Sequence, residues 1–392
     1  MRKITQSSLV ATIALATLVN VANANESLSD AFKNGTLKAQ IKSIYSDSNF
    51  LGNASSDEIV TVGGSLGYVS GDFYGFSGGV TFQTSHIPSE DNNNGVFASD
   101  LDAQGSVLSE AYINYTRSNT SFKVGRQFLY TPLVSSAIDG KSSESLVKDS
   151  FEAFVLTNTD IPNTTLVMGY VDKYQSKTSS GDIGNFEQFE DGAYTIYAKN
   201  TSIANVTLQA QYLKVNATAS DSDRDNLYFQ ADYALAGHTL SVQYLSSADK
   251  AQADGELYGL RAMGPLGIEK IGYIVAYNSS TKDGAVDLVA GTGTSDTPFT
   301  AMPVNGGGVP ARANTDTLVG GLVIPIADIT GILYVGESFC DVGLGDVKAA
   351  GAIAIYPFYK NFLVKVNYEH VETQNIFTEN TDVTRVYLSY TF

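Results

Sequence analysis

Three histidines, one cysteine and a scatter of lysines and arginines are the residues of this chain whose chemistry reaches beyond packing. Nucleophilic hydrolysis needs a Ser–His pair oriented by a third polar group. His86 falls near a loop, His238 in a short turn and His370 near a strand end, and of these His370 alone sits beside an acid, Glu369. Neighbouring strand residues point to opposite faces, so that pair makes no dyad, and catalysis is not expected. The run "DSDRDN", Asp221 to Asn226, begins like a calcium loop. Asn226 stands where such a loop needs Gly, and the twelfth position is Asp232 rather than a bidentate Glu. A solvated loop is the plainer reading, with weak loop-bound calcium, alongside lipopolysaccharide bridging, as its alternative; no other cofactor is expected.

The basic residues follow a pattern. Lys38, Lys42, Lys123, Arg261, Lys270, Lys365 and Arg385 fall on the polar positions of alternating segments, together with Glu110, Asp232 and Glu369. Two readings stand: a solvated wall of mixed charge, or a track of bases that draws solutes by charge and hydrogen bonding. Arg126 breaks the rule. In "KVGRQFLYTPLV" it shares its alternate face with Phe122, Val124 and Phe128.

The elements that carry these residues are strands. "VTLQAQYLK" sets Val206, Leu208, Ala210 and Tyr212 against Thr207, Gln209 and Gln211; "FLVKVNYEH" and "TRVYLSYTF" alternate in the same way. About 18 such segments of roughly 9–11 residues follow Thr36, the length a tilted membrane-crossing strand needs. Short connections, such as Ser118-Asn119 and Ala236 to His238, alternate with long polar loops, the longest from Ser279 to Thr315. Tyr45, Tyr68, Tyr115, Tyr170, Tyr212, Tyr356 and Tyr390 sit at segment ends, as in the aromatic girdles of outer-membrane barrels, although the chain has no Trp. A soluble sandwich would alternate too, but has no reason for one systematically short end or for aromatic ends. The expected fold is therefore all-β: a transmembrane antiparallel β-barrel of about 18 strands. Lipid offers the backbone no partners, so the sheet must close, and so many strands enclose more space than side chains fill. A water-filled lumen for passive, substrate-selective diffusion of small hydrophilic solutes follows, with a non-specific general diffusion channel as the first alternative and a structural or adhesive barrel as the second.

Arg2 and Lys3, the apolar run Leu9 to Val21 and Ala22-Asn23-Ala24 read as a signal peptide over residues 1–24, leaving 25–392 as one barrel domain. The location implied is the bacterial outer membrane, with its lipid and lipopolysaccharide as surroundings and the barrel-assembly machinery reading the last strand, which ends at Phe392. The formal charge of −17 resides largely in loop carboxylates such as Glu90, Asp91, Glu187 and Asp191, and there is no basic patch for nucleic acid. Cys340 is the single cysteine, so no intramolecular disulfide contributes.

The run "LSEAYINYTRSNTSFKVGRQFLYTPL" (Leu108 to Leu133) and the later "SFEAFVLTNTDIPNTTLVMGYV" (Ser150 to Val171) carry an Ala-Tyr strand, a short turn, Gly-Arg-Gln, Thr-Pro and a Phe-Glu strand start. Over about 60 residues this resembles the OprD family of outer-membrane porins. The resemblance implies a substrate-selective channel for small, often carboxylate-bearing solutes, a basic ladder on the wall, and a third long loop folded into the lumen. That loop would run from Pro132 to Ser150, with Asp139-Gly140 as its tight turn, apolar "PLVSSAI" against the wall, and Asp139, Lys141, Glu144, Lys148 and Asp149 beside Pro132 as constriction residues. Members often carry an Arg shortly before the Phe-Glu strand. Here "SSESLVKDSFEAF" has Ser145 at about that place, Lys148 as the nearest base, and Glu144 and Asp149 adding negative charge, so a carboxylate preference does not transfer to this chain. A regular strand would set Arg126 against lipid near the midplane, at about 2–4 kcal/mol. A bulge at Gly125 would turn it into the lumen instead, and that is the expectation.

Overall fold

The computed structural model describes residues 27–52, 55–97, 101–136, 145–179, 181–216, 223–250, 253–268, 270–281, 283–286, 291–292, 297–304, 309–340, 345–374 and 380–392. The expected signal peptide lies outside the described residues. A short helix, α1 (Leu28–Lys33), is capped by the Ser27 side chain, which accepts from the Asp30 amide. Its Ala31 carbonyl receives the Gly71 amide, which seats the helix against the short turn after Val69.

The strands are β1 (Thr36–Phe50), β2 (Ser55–Val69), β3 (Phe76–Asp91), β4 (Ala103–Arg117), β5 (Thr120–Gln127), β6 (Ser150–Asn158), β7 (Thr164–Gln175), β8 (Gly181–Asp182), β9 (Phe186–Asn200), β10 (Val206–Val215), β11 (Arg224–Leu235), β12 (His238–Asp249), β13 (Gly255–Pro265), β14 (Gly272–Ser280), β15 (Thr315–Ile326), β16 (Ile329–Cys340), β17 (Val347–Tyr359), β18 (Phe362–Thr373) and β19 (Thr381–Thr391). All except β8 form one antiparallel wall, and β1 pairs with both β2 and β19, so the sheet closes as an 18-stranded barrel. β8 is a two-residue parallel ladder on the far end of β4. Closure satisfies the backbone of every strand within the sheet, the condition for lying in lipid.

Eight of the connections are short and lie at one end of the barrel. Each contains a non-glycine residue in the left-handed region: Tyr74, Ser118, Asn163, Asn205, Ala236, Lys270, Ala327 and Asn361. Tight reversals between right-twisted strands require that geometry. Along each strand one parity is apolar and points outward, as Leu37, Leu66, Ile113, Phe154, Leu260 and Val335 do, all of them exposed large side chains. Such a surface is stable only against lipid. At the outer edge of this band the tyrosines meet carboxylates of the adjoining strand or hairpin: Tyr277 donates to Asp316 at 2.7 Å and Tyr368 to Asp382 at 2.9 Å. Ring and anion together mark the passage from lipid to water.

Candidate functional site

The side chains of the opposite parity face the interior, and two long connections fold in to meet them. β5 stops at Gln127, and the chain turns inside rather than outward. At the root, the Glu110 carboxylate accepts from the Phe128 amide at 3.3 Å and lies 3.7 Å from Lys123 Nζ. The Leu133 amide donates to Gln211 Oε1 on β10, and Gln211 Nε2 donates to Thr131 Oγ1, both at 2.8 Å. Leu133 and Val134 are fully buried among the inner-wall side chains Phe151, Val171, Leu213, Leu245 and Leu257. The returning limb is held on β3, where the Lys148 amide donates to Gln83 Oε1 at 2.9 Å. The two limbs join where the Asp149 amide donates to the Ser136 carbonyl at 2.6 Å. Asp149 Oδ1 then accepts from the Lys177 amide, also at 2.6 Å. Pro132, Lys148 and Asp149 therefore sit inside the barrel, as the infolded third loop requires; Asp139, Lys141 and Glu144 lie outside the described residues.

The second infolded segment is the longest connection, between β14 and β15, which the sequence presents as a polar outer loop. Its described parts line the inside of the wall from β11 to β18. Phe299 stacks on the Arg261 guanidinium, 4.1 Å from ring centre to Cζ. Thr300 bonds Asn278 through its amide (2.9 Å) and hydroxyl (2.7 Å), and Met302 is buried against Val319, Tyr334 and Ala349. The Val304 amide reaches the Glu369 carboxylate on β18 at 3.2 Å, beside the hydrogen bond from Tyr334 Oη at 2.5 Å. The two loops also touch each other. The Ser135 amide donates to the Gly291 carbonyl at 3.0 Å, and Thr297 Oγ1 to the Pro132 carbonyl at 3.0 Å. Sequence reading missed this partner, although "DTPFTAMPV" (Asp296 to Val304) carries a signal: two prolines around Phe299 and Met302, too apolar for a solvated loop.

The expected bases divide into groups. Lys38, Lys42, Lys123 and Lys365 have interior parity, each in the half of its strand nearest the short turns. They lie on β1, β5 and β18. Lys123 lies 3.6 Å from the Tyr112 ring centre and Lys365 4.2 Å from that of Tyr387. Arg261 and Arg385 also point inward, but the long loop covers Arg261, which lies 3.9 Å from Asp232, and Arg385 is buried. Lys270 is a correction: it sits exposed in the short turn after β13, φ 66°, and not on the wall.

Arg126 is the second correction. No bulge forms at Gly125; the ladders to β4 and β6 run through it in unbroken register, despite its φ of 118°. Arg126 therefore keeps the outward parity of Phe122 and pairs with Glu152, which flanks outward Phe154. The extra residues fall on neighbouring strands, at Ser109 in β4 and Asp172 in β7. The bulge at Asp172 brings Lys173 to the outer face. Arg126 Nε and Lys173 Nζ each donate to Glu152 at 2.8 Å, Arg126 Nη1 donates to the Leu108 carbonyl at 3.3 Å, and the Phe186 ring covers the guanidinium at 4.2 Å. The group lies one pleat beyond the Phe154–Tyr170 ring pair towards the long-loop end, where an outward charge costs only about 0–1 kcal/mol.

Of the calcium-like run, only the part from Asp223 onward is described. Asp223 pairs with Lys250 and Asp225 accepts from Tyr212 Oη, while Asp221 lies outside the described residues. No group of three His, Cys, Asp or Glu side chains able to hold a metal ion occurs among the described residues.

Neither family models nor curated proteins match the sequence. Solved structures do match the fold. OccAB1 of Acinetobacter baumannii superposes with a TM-score of 0.75 at 13% identity, covering 94% of this chain and 99% of that one. The fold is that of an outer-membrane porin. OccAB2 of the same organism matches at 0.74 and 16% identity, over 93% of this chain and 99% of that one. OccK3 (OpdO) of Pseudomonas aeruginosa matches at 0.73 and 14% identity, over 93% and 97%. The barrel fold is thus shared nearly end to end at 13–16% identity.

Proposed function

We propose that the chain is a passive outer-membrane channel for small hydrophilic solutes and a divergent member of the OprD family, exported by its N-terminal segment. The observation that carries this reading is the pair of infolded loops. A structural or adhesive barrel has no need to bring two connections into its interior, pack them on the inner wall and join them at Ser135–Gly291 and Pro132–Thr297. A channel does, because an open 18-stranded barrel would discriminate little among solutes. The loops make the constriction. Lys38, Lys42, Lys123 and Lys365 then offer solutes leaving it an interior path of cationic groups, tempered by Glu110 beside Lys123. The family preference for carboxylates is not carried over, because Ser145 stands at about the place where members often carry an Arg, with Lys148 the nearest base and Asp149 adding negative charge.

Reconstitution in planar bilayers tests the reading. Discrete ohmic steps support it, and their reversal potential in a salt gradient gives the ion preference. A folded barrel that passes no current refutes it.

A further inference from the structure

The "DSDRDN" run that resembles a calcium loop has another use. Its Arg224 opens β11 at the long-loop end, with inward parity, and is 1% exposed. A guanidinium removed from water is tolerated only where its donors are met. Nη2 donates to both the carbonyl (2.9 Å) and the hydroxyl (2.7 Å) of Thr292 in the long infolded loop. The residue before Thr292 is Gly291, whose carbonyl accepts the Ser135 amide from the other loop. Gly291 has a φ of 77°, and a Cβ there would lie 2.3 Å from the half-buried Tyr174 ring. The segment is thus pressed between a ring on β7 and a guanidinium on β11. A continuous chain of bonds leads from the wall through Thr292 and Gly291 to Ser135 of the first loop.

We propose that Arg224 is the positioning residue of the constriction: by holding Thr292 it fixes the place where the two loops meet, and so the width of the pore. It touches no solute and acts only through the loops. The inference rests on the channel reading above for its effect on conduction, but not for its effect on the loops. A neutral side chain of similar length would fill the space without anchoring Thr292, and the shared limb would swing on the contacts that remain.

The test uses the full chain with three substitutions, Arg224→Met, Arg224→Lys and Thr292→Val, each checked for a folded, heat-modifiable barrel. The first readout is limited proteolysis at Gly291 and Thr292 in the folded protein. Arg224→Met should be cut readily where the parent resists, Arg224→Lys should regain most of the protection, and Thr292→Val should fall between. The second is single-channel conductance, which should rise about twofold with added open-channel noise in Arg224→Met and return towards the parent value in Arg224→Lys. Parent-like protection in Arg224→Met overturns the proposal; if that variant does not fold, parent-like protection in Thr292→Val does so. A parent protein that resists proteolysis yet passes no current would sink the channel reading and leave the loop anchor standing.

Discussion

Leu133→Ala offers a sharp test of whether the first loop is held by packing. Leu133 has no exposed surface and sits between the loop and the inner wall formed by Phe151, Val171, Leu213 and Leu245. Truncating a fully buried Leu costs about 2–5 kcal/mol, because the lost transfer energy adds to the cavity left behind. The barrel wall itself loses no hydrogen bond, so the cost falls on the docked state of the loop. The remaining tethers, among them the Leu133 amide to Gln211, Gln211 to Thr131, Thr297 to Pro132 and Ser135 to Gly291, contribute net only about 0.5–1.5 kcal/mol each. A loss near 3 kcal/mol multiplies the undocked population by roughly 100-fold, enough to make rare undocking frequent. In single-channel recordings the variant should flicker to a larger conductance that the parent visits rarely, and the loop should become open to protease. Leu133→Met keeps the volume, costs less than about 1.5 kcal/mol and should record like the parent. An alanine variant with parent conductance, noise and protection would show that buried apolar packing does not hold this loop.

Cysteine placed at Arg126 should react with a bulky membrane-impermeant reagent too large for the pore; labelling only by small pore-permeant reagents would return the side chain to the lumen. Native Cys340 is buried against Val309 and Val347 and should resist thiol reagents until the barrel is denatured, so prompt reaction would contradict the packing of the loop on β16. The chain has no Trp, so Leu260→Trp, on an exposed outward position of β13, provides a clean reporter that brominated lipid should quench; emission unaffected by such lipid would place that face in water. Asp102, in the loop before β4, has its carboxyl pushed up by burial and then by the Asp182 charge. Folding therefore favours its protonated form, and docking of that loop should weaken as pH rises through the raised value. Asp102→Asn should abolish the dependence in hydrogen exchange of residues 101–104, and an unchanged pH profile would refute the assignment.

The barrel was legible because its determinants are local. Two-residue alternation, eight tight reversals and tyrosines at strand ends each follow from nearby residues, and the requirement that lipid-embedded backbone be paired turns them into a closed sheet. The first infolded loop was legible for a different reason: "PLVSSAI" is too apolar to stand in water, and the resemblance around Gly125-Arg126-Gln127 pointed the same way. What failed was parity beyond a bulge. Nothing in "KVGRQ" says that the extra residues fall at Ser109 and Asp172 on neighbouring strands, so that Glu152 and Lys173 arrive outside to receive Arg126. Lys270 failed for want of a turn boundary, since a left-handed residue two positions before β14 can look like the start of its strand. The second loop and Arg224 depend on contacts across the whole chain, between residues such as Pro132 and Thr297, which alternation cannot reveal.

Two joined loops that narrow a water-filled barrel are the centre of the proposed function. The most direct measurement is the single-channel conductance of the folded parent protein, compared with that of a chain lacking residues 283–312. The parent should give steady ohmic steps, and the deletion should make them markedly larger. Equal conductance in two folded barrels, or no current from either, would contradict that function.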